Sequence, residues 1–139
     1  MTPLPAPIEE SLAATRRILV VDDEESIRDL CARVLTRAGF DVVTASSGDV
    51  AVRHLREALF DLIISDIRMP GLSGLEVLHV AKTSFPGIRV VLITGFGTAE
   101  TIARARQSGA DRVLTKPFNP LELLAVVREF LPNSNGPQR

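Results

Sequence analysis

The chain has 139 residues, 45% of them hydrophobic and 24% charged, which suits one soluble domain able to bury roughly 68–70% of its unfolded surface. A net charge of −1 gives no general basic field for nucleic acid. A single cysteine cannot form an internal disulfide or a zinc cluster, so we expect a reducing, cytoplasmic location. No apolar run approaches the ~20 residues that span a bilayer, and the first residues do not resemble a signal peptide, so no membrane insertion is expected.

The two ends of the chain differ from its middle. Three prolines in the first seven residues predict a flexible, Pro-rich tail over residues 1–15. A Pro-, Asn-, Ser- and Gly-containing stretch predicts a second tail over 132–139. The folded domain is therefore expected to span 16–131.

Between these tails, apolar runs alternate with helical patterns. Strands are predicted at about 17–22, 41–45, 62–66, 88–94 and 112–115. The first helix carries an apolar stripe that includes Cys31, which we assign to the core, and it should end near Gly39. Ser73 and Glu76 form a capping box for the third helix, the fourth is rich in alanine and arginine, and Asn119 should cap the fifth.

This alternation predicts an α/β fold. Strands one, three, four and five are continuous apolar runs, as expected when helices cover both faces of a sheet. The predicted architecture is therefore a doubly wound, five-stranded parallel sheet. Such sheets bind ligands beyond the carboxyl ends of their strands, where the strand order reverses.

Polar residues follow four of these strands, namely Asp22-Asp23, Asp66, Thr94 and Lys116. Asp23 could merely cap the first helix, but a cap does not explain two adjacent aspartates. Asp66 is not needed as a cap because Ser73 fills that role. The carboxyl ends of parallel strands meet at one edge, so these side chains should converge.

This set of groups suits phosphoryl transfer. Carboxylate oxygens favour Mg²⁺, or Mn²⁺, over zinc. An aspartate can act as a nucleophile toward phosphorus, and a metal ion together with Lys116 would supply positive charge to the phosphoryl oxygens. Gly95 and Gly97 would let the backbone after Thr94 approach a ligand and change conformation.

The chain resembles the receiver domains of bacterial two-component response regulators, from about Arg16 to Leu131. The matching segments are Ile18-Leu-Val-Val-Asp-Asp-Glu24, Asp61-Leu-Ile-Ile-Ser-Asp66-Ile-Arg-Met-Pro-Gly-Leu-Ser-Gly-Leu-Glu76, Ile93-Thr94-Gly-Phe-Gly97 and Gly109-Ala-Asp-Arg-Val-Leu-Thr-Lys116-Pro117-Phe118. The resemblance implies a flavodoxin-like strand order, 2-1-3-4-5.

The resemblance also implies a role for each residue of the site. Asp66 would accept a phosphoryl group from a histidine of a sensor kinase, and Thr94 and Lys116 would bind that group. Asp22 and Asp23 would bind Mg²⁺ together with Asp66 and the backbone carbonyl of Arg68. The Lys116–Pro117 peptide would be cis.

One position departs from the family pattern. Receiver domains usually carry Tyr or Phe three residues before the lysine, where this chain has Val113. The family couples movement of the threonine to rotation of that ring, and Val113 has no ring to rotate inward. Activation would rely more on the loop after Thr94 and on the alanine-rich helix.

These features predict a signalling phosphoacceptor without a separate turnover substrate, rather than an enzyme. Its expected partners are a sensor histidine kinase and a downstream protein target or phosphotransfer protein, with no direct nucleic-acid contact and with a phosphorylation-dependent homodimer as one possible state. Two alternatives stay open at this point. A haloacid-dehalogenase-like phosphatase would need an acid where Arg68 stands, and a receiver-shaped interaction module would bind no Mg²⁺.

Overall fold

The computed structural model describes residues 15–132, and its core is one sheet of five parallel strands. The strands are β1 (Arg17–Val21), β2 (Asp41–Ala45), β3 (Leu62–Asp66), β4 (Arg89–Thr94) and β5 (Arg112–Thr115). Their order is β2-β1-β3-β4-β5. The predicted fold and strand order are therefore confirmed. The tail predictions fall on residues 1–14 and 133–139, outside the described residues.

Five helices connect and follow these strands: α1 (Glu25–Arg37), α2 (Gly48–Glu57), α3 (Gly74–Ser84), α4 (Ala99–Gln107) and α5 (Pro120–Phe130). Capping boxes open α3 at Ser73 and α5 at Asn119, as predicted. Gly39 follows α1 with a φ of +100°, a left-handed conformation that glycine adopts without steric cost.

The sheet separates two apolar layers because alternate strand residues point to opposite faces. On one face, Ile18, Val20 and Ile64 pack with residues of α1 and α5, including the fully buried Cys31. On the other face, Leu19, Val21 and Ile63 pack with residues of α2, α3 and α4. Helices therefore cover both faces, which explains why most strands are continuous apolar runs and do not alternate apolar with polar residues.

The strand order reverses beside β1, the strand that lies between β2 and β3. The chain leaves β1 for β2 on one side and later returns to pair β3 with β1 on the other. Asp22 follows β1, and Asp66 is the last residue of β3. The fold therefore places both carboxylates at the reversal point, where open α/β sheets bind ligands.

Two predicted boundaries shift by one residue. β1 ends at Val21 rather than Asp22, because the Asp22 carboxylate accepts a hydrogen bond from Glu24 N and the chain turns there. β4 begins at Arg89 rather than Ile88, whose N–H closes a turn onto Phe85 O.

The suggested capping role of Asp23 is not observed. The N-cap residue of α1 is Glu24, and its side chain makes no capping hydrogen bond. Asp23 is an exposed residue outside the helix. Its carboxylate is therefore available for the site.

α4 is the least anchored of the described helices. Ala105 is its one buried residue, whereas α3 buries four residues. Val113 on the neighbouring strand β5 is half-buried and packs into the same apolar layer. Little apolar area therefore opposes a movement of α4.

Candidate functional site

Three aspartates lie together at the carboxyl edge of the sheet. Asp22, Asp23 and Asp66 each offer one carboxylate oxygen, and these three oxygens all lie within 4.8 Å of one another. Asp22 and Asp66 are buried, whereas Asp23 is exposed. The cluster therefore opens to solvent on the side of Asp23.

Lys116 reaches into this cluster from the end of β5. Its Nζ lies 3.3 Å from Asp66 Oδ2, 3.4 Å from Asp22 Oδ2 and 2.7 Å from Glu24 Oε1. The Lys116–Pro117 peptide is cis, as the resemblance implies. One ammonium thus faces four carboxylates, counting Asp23, and the site keeps an excess of negative charge.

Burial shapes the electrostatics of the site. Desolvation raises the pKa of both Asp22 and Asp66, and the charge of Asp66 raises the pKa of Asp22 further. Burial by itself would lower the pKa of Lys116. The hydrogen bond to Glu24 and the charges of Asp22 and Asp66 outweigh that effect and raise it, so the ammonium stays charged.

The residues present fit a divalent cation. Asp22 Oδ2 is buried without a hydrogen-bond partner among the described residues, since its contact with Lys116 is an ion pair that lacks hydrogen-bond geometry. The donors are all oxygens, which Mg²⁺ prefers. The three carboxylate oxygens lie within 4.8 Å of one another, and Mg²⁺ commonly keeps several waters beside a few carboxylates, so this donor set would suit it.

The backbone around Asp66 is held from several sides. Ser65 Oγ donates to Asp66 O at 3.0 Å, and Ile67 N donates to Ile93 O at 2.9 Å. Gly74 N at the start of α3 donates to Ile67 O at 2.8 Å, and a Cβ on Gly74 would overlap the carbonyl oxygen of Asp66. The first turn of α3 therefore packs directly on the backbone that carries Asp66.

Thr94 and Arg68 lie near the cluster, but their side chains have other partners. The Thr94 hydroxyl accepts a hydrogen bond from Phe96 N at 2.9 Å. The Arg68 guanidinium lies over the Phe96 ring, 4.2 Å from its centroid, while Arg68 N donates to Asp66 Oδ1 at 3.4 Å. The structure therefore brings together Asp22, Asp23, Asp66 and Lys116, and it places Thr94 and Arg68 at the rim.

Two contacts at this site were not expected from the sequence. Glu24 makes the shortest contact of Lys116, and its position directly after Asp22-Asp23 was the only signal for it. The ring of Phe96 is the partner of Arg68, and no sequence spacing indicates that two separate loops meet there.

Comparison with known proteins points to one family. The family model for the response regulator receiver domain matches residues 18–128. The phosphate regulon transcriptional regulatory protein PhoB of Escherichia coli is 43% identical over 118 residues, which cover 84% of this chain and 52% of PhoB. The chain thus spans about half the length of the curated relatives it matches.

Solved structures agree with this result. The chemotaxis protein CheY4 of Vibrio cholerae is 34% identical with a TM-score of 0.79, covering 84% of this chain and 99% of CheY4. The response regulator TrrA of Thermotoga maritima, solved in complex with Mg²⁺ and a beryllium fluoride, is 35% identical with a TM-score of 0.76, covering 84% and 100% of the two chains. The chain therefore belongs to the response regulator receiver domain family and is a signalling module of bacterial two-component systems.

Proposed function

We propose that Asp66 is the phosphoacceptor of this receiver domain. The observation that supports this role most directly is the position of its buried carboxylate, 3.3 Å from Lys116 Nζ and in one cluster with Asp22 and Asp23. A buried carboxylate with a raised pKa needs cationic partners to stay ionised as a nucleophile. Lys116 is one such partner, and a divalent cation would be the other.

In the proposed reaction, an ionised Asp66 oxygen attacks the phosphorus atom of a phosphohistidine. A P–O bond to Asp66 forms while the P–N bond breaks, and the imidazole nitrogen keeps the electron pair and takes a proton from solvent. Lys116 pairs with the oxygens of the transferred group, and the Thr94 hydroxyl leaves Phe96 N to donate to one of them. Because this transfer has a loose transition state, the domain contributes mainly orientation and charge.

We assign the cation site to Asp22, Asp23, Asp66 and the backbone carbonyl of Arg68. Mg²⁺ bound there would neutralise charge on the phosphoryl oxygens, and Mn²⁺, which also accepts oxygen ligands, should substitute for it. The buried Asp22 Oδ2, which has no hydrogen-bond partner among the described residues, supports this assignment. Mg²⁺ binding is a general feature of the family.

The proposed partners follow from this chemistry. A sensor histidine kinase supplies the phosphoryl group, and a downstream protein or a phosphotransfer protein receives the signal. PhoB is named a transcriptional regulatory protein, but this chain matches only about half of PhoB, and we propose that residues 16–131 form one receiver domain that contacts no nucleic acid directly. A phosphorylation-dependent homodimer, a cytoplasmic location and the lack of a separate turnover substrate complete the proposal.

Phosphorylation of the full chain with acetyl phosphate and Mg²⁺ tests the role of Asp66. Intact-mass measurement should find one added phosphoryl group on the wild type and none on Asp66→Asn, which removes the nucleophile and retains the shape of the side chain. Asp41→Asn, an exposed change at the opposite end of the sheet, is the matched control and should label like the wild type. Equal labelling of wild type and Asp66→Asn would reject Asp66 as the acceptor.

A further inference from the structure

The Arg68 guanidinium has an aromatic partner instead of a carboxylate. It lies 4.2 Å from the centroid of the Phe96 ring, and no carboxylate within residues 15–132 forms an ion pair with it. Phe96 itself is 54% exposed. A cation two residues after Asp66 is thus held outside the acidic cluster by a solvent-facing ring.

Phe96 also holds a second group of the site. Its backbone N–H donates to the Thr94 hydroxyl at 2.9 Å, and this hydroxyl is one of the groups that the proposed function transfers to the phosphoryl oxygens. Phe96 therefore contacts both groups: its amide donates to the Thr94 hydroxyl, and its ring lies against the Arg68 guanidinium. A change at either partner alters the constraints on the loop between β4 and α4.

Space for a rearrangement lies next to these residues. A cavity of about 270 Å³ is lined by Ile67, Arg68, Thr94, Phe96 and Arg104, among others. It joins the loop after Asp66, the loop after Thr94 and the surface of α4. Arg68 and Thr94 therefore border the same cavity, and the Arg68 amide nitrogen already lies 3.4 Å from Asp66 Oδ1.

We propose that the Arg68 guanidinium is a second cationic ligand of the phosphoryl group on Asp66, and that it leaves the Phe96 ring to bind that group. This inference rests on the proposed function of Asp66. A charge-assisted hydrogen bond from guanidinium to phosphoryl oxygen is stronger than a solvent-exposed contact between a cation and a ring, so a phosphoryl group should win the competition for Arg68. The Thr94 hydroxyl changes partner in the same step, and Phe96 loses both contacts at once.

This exchange gives the domain an aromatic element that Val113 cannot provide. Val113 has no ring to rotate, whereas Phe96 lies in the loop that leads directly into α4, whose N-cap is Thr98. Ala105 alone anchors the buried side of α4, so a released loop can shift the helix. Phe96 would therefore connect the chemistry at Asp66 to the surface of α4.

Beryllofluoride with Mg²⁺ serves as the phosphoryl mimic in an affinity test on the full chain. Arg68→Gln should weaken beryllofluoride binding about tenfold, because one charge-assisted contact is lost, while Mg²⁺ affinity stays the same or increases since a cation is removed. Arg68→Lys should recover part of the loss. Arg104→Gln removes the same charge from the same cavity and should bind beryllofluoride like the wild type.

A fluorescence test follows the ring itself. The chain has no Trp and no Tyr, so F96W introduces a single indole. Its emission should change when Mg²⁺ and beryllofluoride are added, and this change should be at least threefold smaller in F96W/R68Q but retained in F96W/R104Q. Bound beryllofluoride is measured separately by ¹⁹F NMR.

The outcomes separate the inference from the proposed function. If the wild type binds no beryllofluoride and takes no phosphoryl group, the proposed function fails and this inference fails with it. If the wild type binds beryllofluoride but Arg68→Gln binds it within threefold of wild type, only the inference is overturned. An equal loss of Mg²⁺ and beryllofluoride affinity in Arg68→Gln would indicate a structural role and would also overturn it.

Discussion

At the scale of single residues, the buried aspartates of the site lower the stability of the fold. Asp22 is fully buried, one of its oxygens has no hydrogen bond within residues 15–132, and Asp66 places a second buried carboxylate beside it. Their raised pKa values mean that the folded state disfavours the ionised forms that predominate at neutral pH. Lys116 offsets only part of this negative charge, which is consistent with the proposed cation site.

Neutralising Asp22 should therefore stabilise the fold. Asp22→Asn removes a buried charge and keeps an oxygen that can accept from Glu24 N, so we expect the free energy of unfolding at neutral pH to rise by about 1 kcal/mol in the absence of Mg²⁺. Urea unfolding with and without Mg²⁺ measures this effect. The wild type should gain stability from Mg²⁺, and the variant should gain much less.

Asp29→Asn is the control, because Asp29 is an exposed residue on α1 that carries the same charge. It should leave both the stability and the Mg²⁺ response unchanged. A destabilised Asp22→Asn that still responds fully to Mg²⁺ would contradict the assignment of Asp22 to the cation site.

At the scale of the elements, the contact between α3 and β3 determines where Asp66 lies. Gly74 begins α3, and a Cβ at this position would overlap the Asp66 carbonyl oxygen and stand 2.8 Å from the Cα of Ile67. Backbone atoms cannot move aside as a flexible side chain can. Glycine is thus required here by close approach rather than by a left-handed backbone, since its φ is not positive.

Gly74→Ala should consequently cost about 2 kcal/mol of unfolding free energy, as overpacking does in a tight interior. It should also slow phosphorylation of Asp66 by acetyl phosphate, because the backbone of β3 must shift. Gly87→Ala is the matched control, since a Cβ there meets no described atom within 4 Å. Chemical unfolding and the rate of mass gain report the two effects, and equal behaviour of both variants would argue against this packing role.

At the scale of the whole molecule, Asp111 joins elements at the end of the sheet opposite to the site. Its carboxylate accepts from Val90 N at 2.8 Å, Lys82 Nζ at 2.9 Å and Arg89 Nη1 at 3.2 Å. Burial alone would raise the pKa of Asp111, but these hydrogen bonds and charges outweigh it and lower the pKa. One carboxylate therefore connects α3, β4 and the start of β5.

Because the folded-state pKa of Asp111 is lowered, its contribution to stability decreases as the pH falls. The stabilisation is present above the unfolded value of 3.8 and is lost as the pH falls through the lower folded pKa. Asp111→Asn should cost about 2 kcal/mol of unfolding free energy at neutral pH, and its difference from wild type should shrink as the pH falls below 3.8. Urea titrations across this range test the claim.

Asp41→Asn provides the comparison. Asp41 lies on the edge strand β2, and its exposed ion pair with Arg17 of β1, 2.9 Å long, should contribute little to stability. If the difference in unfolding free energy between wild type and Asp111→Asn stays constant down to the lowest pH, the ionised carboxylate is not its source.

The sequence by itself determined the fold class and most of the site. Apolar runs of strand length that alternate with helical patterns indicate a parallel sheet, because backbone periodicity and burial are local properties of the sequence. Polar residues that end such runs lie at the carboxyl ends of the strands, and these ends share one edge of the sheet. The sequence therefore predicts that Asp22, Asp66 and Lys116 meet at this edge. The caps at Ser73 and Asn119 follow from equally local hydrogen bonds.

Only the tertiary structure decided which partners these groups have. Glu24, and not Asp23, is the N-cap residue of α1, because a hydrogen bond from Glu24 N to Asp22 fixes the turn after β1. The same residue makes the shortest contact of Lys116. The contact between Arg68 and Phe96 joins two loops of different strands. Loop conformations depend on the packing of the elements they connect, so contacts between them arise only when the whole sheet is assembled.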